Sequence, residues 1–236
     1  VGFAVLTACA ARAMRSEWST SGLAASTGFA AVLSDPLARR LLLIALVNAA
    51  PVAVTSSLFL FFVESRLEAP GLEGPLLLIF FLSAALAAPV WGMLAERFGE
   101  KDVLVLAMVL AIASFALAFT LGPGDWMLFA AICVASGATL GADLTLLPAI
   151  FARRMSHVSP SASEGFGLWS FVSKFTLAFA AVSLLPMLET AGFQSGAGVP
   201  NTPEALNLLT VLYAAVPCAL KLIAILLLAV TNLKEV

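Results

Sequence analysis

Apolar residues in this chain run in long unbroken stretches separated by short charged links. Residues 41–63, 74–95 and 103–124 contain no Asp, Glu, Lys or Arg, and residues 126–152, 165–188 and 205–233 contain one each: Asp143, Lys174 and Lys221. A helix needs roughly 20 mostly apolar residues to cross a hydrocarbon core of about 30 Å. The pattern therefore predicts six crossings, at about 41–63, 74–95, 103–124, 126–152, 165–188 and 205–231, in an all-α integral membrane protein. No period-two alternation is present, which excludes a membrane β-barrel. Prolines interrupt five of the six crossings, at Pro51, Pro89, Pro148, Pro186 and Pro217. Kinked membrane helices persist where neighbours or cavities satisfy the freed carbonyls, so the prolines point to helices that rock or line a cavity.

Composition agrees with the pattern. The chain is 61 % hydrophobic and 11 % charged, against about 25 % charged for an average soluble domain. Its formal charge of −2 argues against nucleic acid as a partner. Cys9, Cys133 and Cys218 lie inside apolar runs and read as buried thiols. His157 is the only histidine, so neither a histidine zinc site nor a Ser-His triad can be assembled.

The distribution of basic residues sets the expected orientation. Arg66 is the one basic residue in the links after the first, third and fifth crossings. The other links and the two ends carry nine: Arg12, Arg15, Arg39, Arg40, Arg97, Lys101, Arg153, Arg154 and Lys234. Lys and Arg gather on the cytoplasmic side, so residues 12–40 and the C-terminus are expected there, in a multi-pass protein of the cell (inner) membrane. Residues 1–11 are apolar and precede Arg12 and Arg15, the reverse of a signal peptide. Residues 1–13 are expected to be the end of a truncated transmembrane helix. Residues 14–39 are expected to be a cytoplasmic linker with a short interfacial helix, and 40–233 the six-helix unit.

The lone charges are the main functional signal, because an ionisable group at mid-membrane is costly and tends to mark a pathway. Asp143 lies ten residues before Arg153, Lys174 ten after Glu164, and Lys221 ten before Thr231. At 1.5 Å per residue each is about 15 Å deep. Lys174 shares a stripe with Ser163, Gly167 and Ser170, and Phe171, Phe175 and Phe179 lie to one side of it. Asp143 shares a stripe with Ser136 and Thr139, and Asn48 and Thr55 share a face of the first crossing. Asp143, Lys174 and Lys221 are expected to line a solute or ion pathway, with Asn48, Thr55, Trp169 and Ser170 as polar or stacking contacts. Two roles remain open for the charges beside that one. Asp143 and Lys174 are on successive helices and are candidates for a structural ion pair, and Lys221 for snorkelling to the interface. Gly137 and Gly141 form a G-x-x-x-G that reads as close helix packing.

The link between the second and third crossings runs Gly92-Met93-Leu94-Ala95-Glu96-Arg97-Phe98-Gly99-Glu100-Lys101. It resembles the G-x-x-x-D-R-x-G-R-K loop of the major facilitator superfamily, with Glu96 for the Asp and Glu100 for a basic residue. The segments Gly141–Ile150, Glu164–Lys174 and Leu212–Lys221 resemble helices ten, eleven and twelve of the glycoside–pentoside–hexuronide:cation symporters, the melibiose-permease-like branch. The resemblance covers about residues 40–230, the C-terminal six-helix half of such a transporter. It implies cation-coupled symport, by Na⁺ or H⁺, of a sugar or related small solute through alternating access, with no cofactor beyond the coupling ion. It places Lys174 near a cation site and Gly92, Glu96, Arg97, Gly99 and Lys101 in a cytoplasmic gate. It also implies an N-terminal six-helix half as partner, which carries the cation-binding acids. Members of that branch have an acid just after the Ala matching Ala152 and another a little later, whereas here Arg153 and Arg154 follow Ala152. Lysolipid transport and a non-transporting membrane interaction module are the alternatives. An intramembrane enzyme would need paired acids or a nucleophile–base pair at depth, which one Asp and one loop His do not supply.

Overall fold

The computed structural model describes residues 28–158, 163–196 and 198–232. The truncated helix expected over 1–13 and most of the linker lie outside them. Every regular element among the described residues is helical. A short helix α1 (Gly28–Ser34) leads into α2 (Pro36–Phe61), followed by α3 (Glu73–Phe98), α4 (Glu100–Ala116), α5 (Trp126–Val158), α6 (Ser163–Thr190), α7 (Pro203–Thr210) and α8 (Val216–Ala229). α7 and α8 are joined by a widened turn at Val211–Ala215 and form one crossing, so six spans are long and apolar enough to cross a bilayer.

The helices overrun the charge-free stretches. α2 takes in Arg39 and Arg40, and α5 runs through Arg153 and Arg154 to Val158. A spanning helix need not stop at the hydrocarbon boundary, because its last turns can project charges into water. The start of α2 is set by Asp35, whose Oδ1 accepts the Ala38 N–H at 2.7 Å, with Pro36 behind it at the first helical position. Both are favoured there, because the side chain satisfies a free N–H and Pro has none to lose.

Neighbours run in the order α6, α2, α8, α4, α5, α3. Lipid tails are as apolar as leucine, so helix association in a membrane rests on packing and hydrogen bonds. The α3–α5 contact shows both. A Cβ at Gly137 would land on the Phe80 carbonyl oxygen, and one at Gly141 would lie 2.6 Å from that of Ala84. The G-x-x-x-G is therefore a place where backbones touch, and the indole of Trp91 closes the contact by donating to the Ala138 carbonyl at 2.7 Å. α3 and α6 stand at the two ends of the arc. Of their most apolar stretches only 17 % and 22 % is buried, against 56 % for α2, so most of their surface is left for lipid or another polypeptide.

Two turns of i→i+5 type face each other away from the basic end. Phe62–Arg66 extends α2, with the Leu67 N–H bonded to the Phe62 carbonyl at 3.0 Å. Val211–Ala215 precedes Pro217, which has no N–H for the carbonyl one turn back and would clash with it in a regular helix. The rings of Phe62 and Tyr213 stack across the gap at 4.2 Å.

Candidate functional site

Lys221 lies one turn beyond Pro217 on α8 and points into the bundle, where 5 % of its side chain is exposed. Its ammonium forms an ion pair with Asp143 Oδ2 of α5 and donates to Asn48 Oδ1 of α2 at 2.7 Å. The Asp143 side chain is 9 % exposed. Removing either charge from water costs several kcal/mol, offset here only because each meets the other at hydrogen-bond distance. The pairing differs from that expected from chain order. Asp143 meets Lys221, 78 residues away, and not Lys174, because α6 packs along α2 while α8 lies between α2 and α4. Lys221 does not snorkel, since Asp143 and Asn48 satisfy it at depth.

The pair is not fully satisfied. Asp143 Oδ1 is buried with no hydrogen-bond partner. Beside it a groove of about 290 Å³ runs between α2, α5 and α6, lined by Asn48, Asp143, Trp169 and Ser173 among small and branched apolar side chains. On the other flank, between α2, α3, α4, α5 and α8, Asp143 and Lys221 line a small, partly open cavity of about 20 Å³ together with Thr55, Ser136 and Thr139. The Thr55 hydroxyl bonds back to the Pro51 and Val52 carbonyls at 3.0 and 3.2 Å, a pattern that bends a helix, one turn beyond Pro51.

The structure thus joins Asp143, Lys221 and Asn48 directly, puts Thr55 beside them, and sets Trp169 across the groove. Ser170 and Lys174 are exposed on α6 and line neither the groove nor the cavity. Phe171, Phe175 and Phe179 form an exposed stack on the same helix, with ring centroids 5.9 and 6.0 Å apart. Sequence reading missed Ser56 and Ser173, which line the groove. Their signal was spacing: Ser173 is one helical turn beyond Trp169, and its hydroxyl bonds back to the Trp169 carbonyl at 3.1 Å.

The residues of the expected gate collect at one end. Gly92 is inside α3 and nothing would meet a Cβ there; Gly99 turns the chain between α3 and α4 with φ +91°. Glu96 and Arg97 are exposed, and the Arg97 guanidinium lies over the Phe98 ring at 5.3 Å. Lys101 faces inward, donating to the carbonyls of Ala229 and Thr231 at 2.9 and 2.8 Å, and so caps the last helix of its own bundle. Arg153 pairs with Glu100. Arg154 grips Asp35 with two bonds, Nε to Oδ1 at 3.1 Å and Nη2 to Oδ2 at 2.5 Å. That hydrogen-bonded guanidinium, with the Ala38 amide, holds the Asp35 carboxyl below its usual value of 3.8. The two arginines that follow Ala152 are therefore matched by acids at the starts of α2 and α4.

Six apolar crossings around a buried ion pair make this a multi-pass membrane protein. Residues 1–235 match the model of the family described as MFS/sugar transport protein, so the chain belongs to that family of major facilitator transporters. No curated protein matches the chain.

Proposed function

We propose that the chain is one six-helix half of a secondary transporter that moves a sugar or related small solute with a cation by alternating access, as its resemblance to the melibiose-permease-like symporters implies. The observation that carries this is the Asp143–Lys221–Asn48 cluster, whose Asp143 and Asn48 stand on the wall of an open groove. Facilitator-type folds place solute near the bilayer midplane between two halves. Asn48 and Asp143 offer hydrogen-bonding groups to hydroxyls, and the face of Trp169 suits the apolar side of a sugar ring. Under this reading a second six-helix unit covers the groove, and the exposed faces of α3 and α6 are where it docks. The end bearing Arg97, Lys101, Arg153 and Arg154 is cytoplasmic, in the cell (inner) membrane, by the positive-inside rule. No cofactor is required beyond the coupling ion.

The mostly apolar groove walls, including Ala45, Val52, Leu144 and Leu147, favour a lysolipid as the second reading. The two separate in one experiment. The full-length protein in vesicles is offered radiolabelled mono- and disaccharides and a labelled lysophospholipid, with and without an imposed Na⁺ or H⁺ gradient. Gradient-driven accumulation of a saccharide supports the sugar reading, and accumulation of the lysophospholipid alone replaces it. Indifference of both to either gradient removes coupled transport.

A further inference from the structure

We propose that the start of α2 carries a docking site for an anionic phospholipid, built on Arg39 and Arg40 and turned away from the groove. It stands apart from the transporter reading and holds whatever the solute is. Both arginines are exposed, and neither makes an ion pair among the described residues. Asp35 is the one acid between residues 28 and 63. Four residues before Arg39, it is in the right place to pair with that side chain along the helix. Arg154 takes both of its oxygens instead, and the Ala38 amide shares Oδ1. The other arginines and the lysine at this end are engaged too. Arg153 pairs with Glu100, Arg97 lies over Phe98, and Lys101 caps the end of α8. The start of α2 is left with two adjacent, unmatched positive charges.

Position selects a lipid as the partner. Leu43 is one turn on from Arg39 along the same stripe of α2 and is 46 % exposed. It is nine residues from the groove-lining Val52, about two and a half turns, so this stripe faces away from the groove. Charge gives way to exposed leucine over about 6 Å of helix. The hydrocarbon boundary therefore passes between them, and the guanidinium groups stand at the level of lipid phosphates. α1 leads into this end through Asp35 and agrees with that placement. It buries Val32 and leaves Phe29 and Leu33, one turn apart, 53 % and 46 % exposed. The Phe29 ring also lies against α6 at Gly167. A short helix that shows apolar side chains beside a charged helix end belongs in the interface, with those side chains among the upper acyl carbons. Neighbouring guanidinium groups present forked donors that fit phosphate oxygens. A phosphatidylglycerol headgroup brings one uncompensated negative charge to them, whereas phosphatidylcholine carries its own cation. A soluble phosphate ester lacks the chains that Leu43, Phe29 and Leu33 are placed to meet.

The test uses the full-length protein in detergent, titrated with dioleoylphosphatidylglycerol or dioleoylphosphatidylcholine and followed by native mass spectrometry, which counts bound lipids one at a time. The parent is expected to hold one phosphatidylglycerol about thirtyfold more tightly than Arg39→Gln/Arg40→Gln, the equivalent of about 1 kcal/mol for each arginine near an anionic surface. Phosphatidylcholine is expected to bind parent and variant alike. Arg39→Lys/Arg40→Lys keeps both charges and is expected to recover most of the affinity, which separates loss of the site from loss of the fold. Three results overturn the proposal: equal affinity of parent and glutamine variant for phosphatidylglycerol, phosphatidylcholine bound by the parent as tightly as phosphatidylglycerol, or displacement of the lipid by an equal concentration of glycerol 3-phosphate, which would make the site one for a soluble anion. Uptake of solute is not part of the readout, so failure here leaves the transporter reading untouched.

Discussion

Lys221→Met leaves Asp143 as an unmatched carboxylate in the middle of the bundle, and the cost can be worked from the site. Both side chains are less than a tenth exposed, so solvent does little to screen the loss. Breaking a buried pair by removing one partner costs about 3–5 kcal/mol, which lowers the folded-to-unfolded ratio by a factor of roughly 10² to several thousand. Asp143→Asn should fall in the same range, since it leaves the ammonium with Asn48 alone. The double variant Asp143→Leu/Lys221→Met is expected to do better than either. It removes both charges together, and its remaining defect is Asn48 Oδ1, which loses its donor at a cost of about 1–3 kcal/mol. The expected signature is a double variant no less stable than the singles, against a sum of about 6–10 kcal/mol if the two acted independently. Unfolding titrations in mixed detergent micelles, followed by the fluorescence of the four tryptophans, measure all three. Additive losses, or single variants within about 1 kcal/mol of the parent, would refute the buried pair.

Three further outcomes follow from other parts of the structure. Gly141→Ala puts a methyl 2.6 Å from the Ala84 carbonyl oxygen and 3.1 Å from the Ala88 nitrogen; α3 must shift, at about 1–3 kcal/mol in the same titration, whereas Gly92→Ala, with nothing within 4 Å, is expected to cost nothing measurable. Because Arg154 holds the folded-state carboxyl of Asp35 below 3.8, the stabilisation is complete above that pH and is lost as pH falls through the lowered folded value; Asp35→Ala is expected to cost about 1–2 kcal/mol at neutral pH and to flatten the acid limb of a stability–pH profile. On the resemblance to the symporters alone, since Lys174 is exposed on α6 and lines neither the groove nor the cavity, Lys174→Ala is expected to abolish gradient-driven uptake with membrane insertion intact by protease mapping, and normal uptake by that variant would take Lys174 out of the mechanism.

The six crossings were legible because lipid enforces them: a bilayer tolerates few stray charges, so the gaps between charges mark the helices. That Asp143 and Lys221 share a level was legible for the same reason, and the two side chains do meet. Their partnership was not. Helix order along the chain puts Asp143 next to Lys174, but neighbours in the bundle are set by which surfaces fit, and the glycine contact draws α5 to α3 while α8 fits between α2 and α4. The inward role of Lys101 was hidden too, because the carbonyls it caps belong to a helix end some 130 residues later. Asp35-Pro36 is a helix-start signal in plain view, read as linker because the charge-free stretch begins only at Leu41.

The contact at Gly137 and Gly141 has a mechanical consequence. Where main chain rests on main chain there is no cushion of side chains to shear, so α3 and α5 behave as a single stiff beam, pinned within the same contact by the Trp91 bond to Ala138. A load applied near the Glu96–Arg97 corner is then delivered to Phe80 with little lost on the way. Compliance has to come from other members of the frame, and the two facing turns that carry Phe62 and Tyr213 are the natural joints.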